Sequence, residues 1–319
     1  MKKRISHLLQ FQSRLSEICP EATTIPSVGT YNGIERESEW SRQIAIPEEV
    51  STGDYLKYVF GISNPNWGEL YRQAVSGSGK EEDKITTLHS SSLLALLCFS
   101  NITEENPLHI AGTKYTKVWF EVKNRVFDNP SNIDIVLGNG GSDFLFIESK
   151  FTEYLTPANK AFAKKYFNFY KNILPMIDGF PLQMVYPRPY NQEDGMGLKC
   201  SSEKKVYMDG IKQCFSHLIG LCQGPYGKDS SRWGDSDGKI RFAEILYRFP
   251  GDEFKCYSNL YSKTIGSLNA EKLGKAIDAV QDLDNNHTDR IEIFPEVLTY
   301  QEVFKDFGLP TKVRRYFDL

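Results

Sequence analysis

Asp134 and the tripeptide Glu148-Ser149-Lys150 are the residues whose types and spacing carry chemistry in this chain. They flank the turn-forming run Gly138-Asn139-Gly140-Gly141-Ser142, with apolar segments on either side, which is the pattern of a β-hairpin. Folded about Gly141, such a hairpin sets Asp134 directly across from Glu148, with Cβ atoms about 5 Å apart. Side chains alternate along a strand, so Lys150 joins both acids on one face. A slip of one residue in the pairing would scatter them. Two facing carboxylates repel unless a shared proton or a cation lies between them. Lys150 supplies part of that compensation, and the rest points to a divalent cation. Hard oxygen donors favour Mg2+, with Mn2+ as the alternative. The chemistry of such a site is phosphodiester hydrolysis. The cation polarises a phosphate oxygen and lowers the pKa of its water, while a lysine ammonium orients that water or offsets the developing charge.

The tripeptide alone says little, because Glu-x-Lys recurs at Glu82, Glu121, Glu203 and Glu253. The instance at Glu148 differs in ending a hydrophobic strand, Phe144-Leu145-Phe146-Ile147, and in having an acid in the facing strand. The competing reading is an exposed salt bridge of Lys150 with two acids, worth little to the fold.

The elements that must position these residues form an α/β pattern. The first hundred residues read as mainly helical: a stripe from Ile5 to Ile18, a helix capped by Ser51 or Thr52 through Phe60, another from Trp67 to Ala74, and a buried apolar helix from about Leu88 to Ser100. Near residue 114 the pattern changes to strands at 115–122, 132–137 and 144–150. A helix is then expected from Pro157 to about Ile173, capped by Thr156. Further elements are a helix at 207–221, a strand at 240–249, a helix at 270–283, a strand at 291–294 and a short helix from Tyr300.

The hairpin resembles the core of the PD-(D/E)xK nuclease superfamily, and is closest to its restriction-endonuclease-like bacterial proteins. The resemblance is carried by Asn132-Ile133-Asp134-Ile135-Val136-Leu137 and by Ile147-Glu148-Ser149-Lys150-Phe151-Thr152-Glu153-Tyr154-Leu155. Leu88–Leu96, Phe120-Glu121 and Lys212-Gln213 with His217 look similar as well, so that the likeness spans roughly residues 80–250. The family's proline before the aspartate is replaced by Ile133. The resemblance implies an αβββαβ core at 79–250 within a single domain of 1–319, with a helical elaboration at 1–78 and a C-terminal α/β extension at 251–319. It implies that Asp134 and Glu148 bind the metal with the Ser149 carbonyl as a third oxygen, and that Lys150 assists the water. Glu121 would be an extra acid, and Glu82 a weaker candidate for an acid on the first helix. Gln213, His217, Lys160 and Lys164 would be supporting or substrate contacts. The implied activity is a metal-dependent endonuclease acting on double-stranded DNA, of restriction or defence type. A homodimer is plausible because double-strand cutting usually takes two active sites. The alternative is an inactive nuclease-fold protein that only binds nucleic acid.

Other features exclude more than they add. The 319 residues carry 38 basic and 41 acidic side chains, a net charge of −3, so any nucleic-acid surface has to be local. No apolar run approaches membrane length, and no apolar segment follows Lys2, Lys3 and Arg4, so the expected location is the cytoplasm. The six cysteines contain no CxxC pair and read as reduced thiols. A zinc set from Cys214, His217, Cys222 and Cys256 matches no compact zinc spacing. Gly77-Ser78-Gly79-Lys80 lacks the first glycine of a phosphate loop, and Asp235-Ser236-Asp237-Gly238 lacks the last ligand of a calcium loop. Between Lys150 and Asn172 five lysines interleave with aromatics; the lysines suit phosphate contacts and the aromatics suit a core. Gln213 and His217 stand one helical turn apart and share a face.

Overall fold

In the computed structural model the described residues are 2–31, 34–77, 81–127, 129–157, 161–162, 164–177, 182–185, 196–200, 206–226, 233, 237–280, 283–284 and 286–319. Contacts divide the chain into two units, Met1–Glu121 with Thr299–Leu319, and Val122–Leu298. The sequence places its internal boundaries at 78/79 and 250/251 within one domain. The contact division instead falls inside a strand, at Glu121, which has a left-handed φ of 52°, uncommon for a residue with a side chain.

The first unit holds α1 (Lys2–Ile18), the paired strands β1 (Thr24–Tyr31) and β2 (Ile34–Ile44), and the helices α2 (Thr52–Phe60), α3 (Trp67–Ala74), α4 (Glu81–Lys84) and α5 (Ser91–Phe99). The short strands β3 (Leu108–Ile110) and β4 (Thr113–Tyr115) follow. Ser51 caps α2 by accepting from the Asp54 amide, and Ser90 caps α5 by accepting from the Leu93 amide. The β1–β2 hairpin adds a strand pair that the expectation of a mainly helical front did not include. Ile34–Ile44 alternates charged and polar residues rather than apolar and polar ones, so it lacks the period-two hydrophobic signal by which strands are read.

The site lies in the second unit. Its sheet runs in the order β12-β11-β7-β6-β5, from β5 (Lys117–Val126), β6 (Asn129–Gly138), β7 (Phe144–Lys150), β11 (Ile240–Leu246) and β12 (Ile291–Ile293), with β13 (Leu298–Thr299) also paired to β11. β6 and β7 are antiparallel, with Ile135 opposite Ile147 and Leu137 opposite Leu145. That register carries Asp134 to Glu148, the pairing expected from folding about Gly141. β7 and β11 are parallel, joined by a crossover that contains α7 (Met208–Gln223), as a parallel pair requires. Every residue of β7 is buried, which explains its continuous apolar run. The chain order α5, β5, β6, β7, α7, β11 is that of the expected α/β core.

The expected helix at 157–173 is the main misreading here. A 3₁₀ turn spans Glu153–Leu155, Thr156 is extended, β8 (Ala161–Phe162) is a strand, and among the described residues of this span only α6 (Phe167–Ile173) is α-helical. β8 joins β10 (Met196–Cys200) and β9 (Leu182–Val185) in a three-stranded sheet. Pairing to a partner distant in sequence overrode the local helix signals. Phe169 and Tyr170 are buried and meet the Phe215 ring at 6.1 and 5.5 Å, so these aromatics are core. The helices α8 (Asp252–Lys263) and α9 (Ala270–Asp278) complete the second unit, and α10 (Tyr300–Val303) and α11 (Thr311–Phe317) return to the first.

Candidate active site

The end of β7 carries charge where the strand is fully covered. Glu148 is 1% exposed and Lys150 5%. The Lys150 ammonium donates to Glu148 Oε1 at 2.5 Å, and the His217 ring sets Nε2 2.8 Å from Glu148 Oε2. Asp134 reaches across from β6, where its Oδ2 accepts from the Ser149 amide at 2.7 Å. That bond continues the hairpin one step past the Ile135–Ile147 pair, with a side chain in place of a backbone carbonyl. Asp134 is half-buried, so it is the member of the group that keeps exposure to solvent. An exposed salt bridge is therefore not what this sequence builds.

His217 is carried by α7, which packs on β6 and β11. Its Nδ1 lies 2.8 Å from Ser131 Oγ near the start of β6. The Nε2–Oε2 separation is that of an ion pair, but the ring is not aimed to donate along it, and both atoms are buried without an aligned hydrogen bond. The contact is close but off axis, and hydrogen bonds weaken steeply off axis.

The parallel register puts Glu244 of β11 beside Glu148 on the same face, a residue the sequence reading passed over. Glu244 is 0% exposed, and the Tyr257 hydroxyl of α8 lies 2.7 and 3.0 Å from its two oxygens. Its signal was present: like Glu148 it is an acid inside an apolar strand, Phe242-Ala243-Glu244-Ile245-Leu246. Finding it required the pairing of β11 with β7, which joins residues far apart in sequence.

Burial and charge sort these groups into different protonation states. For Glu148, burial alone raises the pKa, but the Lys150 ammonium and the His217 ring outweigh it and hold the carboxyl down at about 2. For Lys150, burial opposes the charge, and Glu148 and Asp134 overcome it, so its pKa lies well above the ordinary lysine value. For Glu244, burial dominates and raises the pKa to about 8, with Lys150 and Tyr257 only moderating the rise. At neutral pH one buried carboxylate is charged beside a second that holds its proton.

These residues fit a divalent cation in kind. Asp134 and Glu148 supply hard oxygens, and Glu148 Oε2 is a buried acceptor without an aligned donor, which a cation satisfies. Among the described residues no three His, Cys, Asp or Glu side chains converge as a ready-made metal cage, so an ion here keeps much of its water shell. The thiols add nothing to it: burial pushes Cys214 well up and Cys222 to about 12, and a thiol at such a pKa is inert.

The remaining sequence candidates divide between this group and other parts of the chain. Ser149 holds Asp134 through its amide. Gln213 lies one turn from His217 on α7, with its Oε1 buried and unpartnered. Glu121 and Glu82 belong to the first unit, where Glu82 is exposed on α4. Lys164 opens a 3₁₀ turn, and Lys160 lies outside the described residues. A cavity of about 430 Å³ is lined wholly by first-unit residues, among them Asn64, Asn101 and Asn106; none of the hairpin residues lines it.

Comparison with curated proteins and with solved structures found no significant match. A family pattern described as restriction endonuclease associating with ARP matches residues 33–193, half of the chain, including the whole β6–β7 hairpin with Asp134, Glu148 and Lys150. With the mixed α/β sheet described above, that match settles the family: the chain belongs to the restriction-endonuclease-like proteins of this group.

Proposed function

We propose that the protein is a metal-dependent endonuclease that hydrolyses phosphodiester bonds of double-stranded DNA, of restriction or defence type. The observation that carries this reading is the convergence of Asp134, Glu148 and Lys150 on one face at the end of β7. Asp134 and Glu148 would hold the cation, Mg2+ or Mn2+, with the Ser149 carbonyl as a third oxygen. When bound, that cation supplies Lewis acidity and a water of lowered pKa. Lys150 is fixed by its pair with Glu148 and holds an ammonium where negative charge builds on phosphate. The Ser149 amide orients the Asp134 carboxylate, which is the half-exposed side from which a phosphate can approach. Strands hold these groups more rigidly than loops would. A homodimer supplies the two sites that cutting both strands requires.

Nicking of supercoiled plasmid with Mg2+ or Mn2+ tests the proposal. Asp134→Ala and Lys150→Ala are each expected to reduce cutting at least about 100-fold; undiminished cutting in both variants would refute it. The second reading, an inactive nucleic-acid-binding relative, is favoured by the burial of Glu148 and Lys150 against each other. Calorimetry with Mn2+ separates the two: an active site takes up the ion and Asp134→Ala does not, whereas a relict scaffold shows no uptake in either.

A further inference from the structure

The cavity of the first unit, about 430 Å³ in volume, lies at the C-terminal ends of α2 and α5. Its walls come from three loops, at 61–65 after α2, 101–106 after α5 and 308–310 before α11. The last carbonyls of a helix lack partners within it, and at α5 asparagine amides serve them. Asn101 Nδ2 donates to the Leu97 carbonyl at 2.7 Å, and Asn64 Nδ2 to the Ser100 carbonyl. Asn106 Nδ2 donates to the carbonyls of Asn101 and Gly308 at 2.9 and 3.1 Å. Donation to a carbonyl identifies the nitrogen of each amide, so each oxygen faces the other way. Asn64 Oδ1 accepts from the Asn66 amide at 2.7 Å. The Oδ1 atoms of Asn101 and Asn106 meet no donor among the described residues. Asn101 is only 8% exposed, and the cavity it lines is the outlet for that oxygen.

The lining is therefore rich in acceptors and poor in donors. Glu105 adds an exposed carboxylate, and the two helix C-termini add partial negative charge. Only the hydroxyls of Ser63 and Thr103 can turn either way. No lysine or arginine lines the cavity, and Lys312 keeps its ammonium over the Tyr58 ring, 5.6 Å from the centroid. Without a cation or an aromatic ring in its walls, the cavity suits neither a phosphate nor a stacked base. Pro65, Leu309 and Pro310 form an apolar side. The volume falls in the range of small-molecule sites, about 300–1,000 Å³, and exceeds what a bare ion fills. We propose that this cavity binds a small organic cation, an alkylammonium whose head group donates to Asn101 Oδ1, Asn106 Oδ1 and Glu105. Its methylenes lie against Pro65, Leu309 and Pro310. None of the hairpin residues takes part, so the nuclease reading can fail without affecting this site.

Calorimetry on the full-length protein with butane-1,4-diamine tests this, with butan-1-ol, butyrate and Ca2+ as controls. The wild type is expected to bind the diamine saturably at one site, and none of the controls. Glu105→Gln should weaken the diamine about threefold, and Glu105→Lys, which sets a cation at the rim, about tenfold or more. Asn101→Ala removes a buried acceptor and should also weaken it about tenfold. If that variant fails to fold by circular dichroism, the exposed Glu105→Lys decides. N-acetyl-lysine methylamide distinguishes the source of the ammonium. Tighter binding of it than of the diamine assigns the cavity to a lysine side chain of a partner protein, and weaker binding to a free amine; both keep the cation class. No diamine or lysine-amide binding, binding unchanged in Glu105→Lys, or uptake of butanol, butyrate or Ca2+ in its place overturns the assignment and leaves the asparagines as caps of α5 alone.

Discussion

The Glu148–Lys150 pair is the residue-scale feature on which the site turns. Both groups are almost wholly removed from water, and such a pair adds little net stability because desolvation offsets the attraction. Removing one partner is another matter, since it strands a charge. Lys150→Met should therefore destabilise the protein by about 3 kcal/mol or more in denaturant unfolding, and Glu148→Gln combined with Lys150→Met should recover much of the loss. Additive losses in the double variant would show the two are not coupled. The neighbouring acids give opposite pH dependences. Glu148 has a folded pKa near 2, below the ordinary carboxylate value; its contribution is present above that ordinary value and is lost as pH falls toward 2. Glu244 has a folded pKa near 8, above the ordinary value of 4.5. Between those two values the folded state holds a proton that the unfolded chain has released. Stability therefore falls as pH rises through that window, at up to about 1.4 kcal/mol per pH unit. Glu244→Gln keeps a hydrogen-bonding partner for Tyr257 and removes the titration, so the Tm of this variant should be flatter than the wild type between pH 5 and 8. An unchanged slope would show that Glu244 is not the group responsible.

At the scale of elements, α7 carries the site's third side: His217 faces Glu148, while Cys214 lies against Glu244. Its seating depends on two glycines. A Cβ at Gly210 would collide with the Tyr257 hydroxyl, and one at Gly220 would press on Asn124 and Val126 of β5. Gly210→Ala should cost about 1–3 kcal/mol by overpacking. The cost should shrink in a Tyr257→Phe background, because the hydroxyl is the atom struck; double-mutant unfolding measures the coupling. An equal cost in both backgrounds would place the strain elsewhere. The β6–β7 hairpin and the helices α2 and α5 were legible locally, from turn glycines, from Ser51 as a cap and from the apolar run Leu93–Phe99. The β1–β2 hairpin and β8 were not, because charge alternation in one and a lysine–aromatic run in the other hide the strand period.

At the scale of the whole molecule, the net charge of −3 means that any DNA affinity comes from local cations rather than from the overall field. Phosphate contacts release counterions, so log K should fall linearly with log salt, with a slope of several for a duplex-binding face; binding insensitive to salt would count against the nucleic-acid reading. No helix among the described residues is long and apolar enough to cross a membrane. By itself the sequence determined the hairpin, its register, and the sharing of one face by Asp134, Glu148 and Lys150. Those depend on turn residues and on a period of two, interactions that span only a few positions. Only the tertiary structure decided that the pair is buried, that Glu244 stands beside Glu148, and that His217 and Ser131 close the group. Each of these comes from packing β11 and α7 against β7, contacts between segments some seventy to a hundred residues apart whose geometry no local pattern encodes.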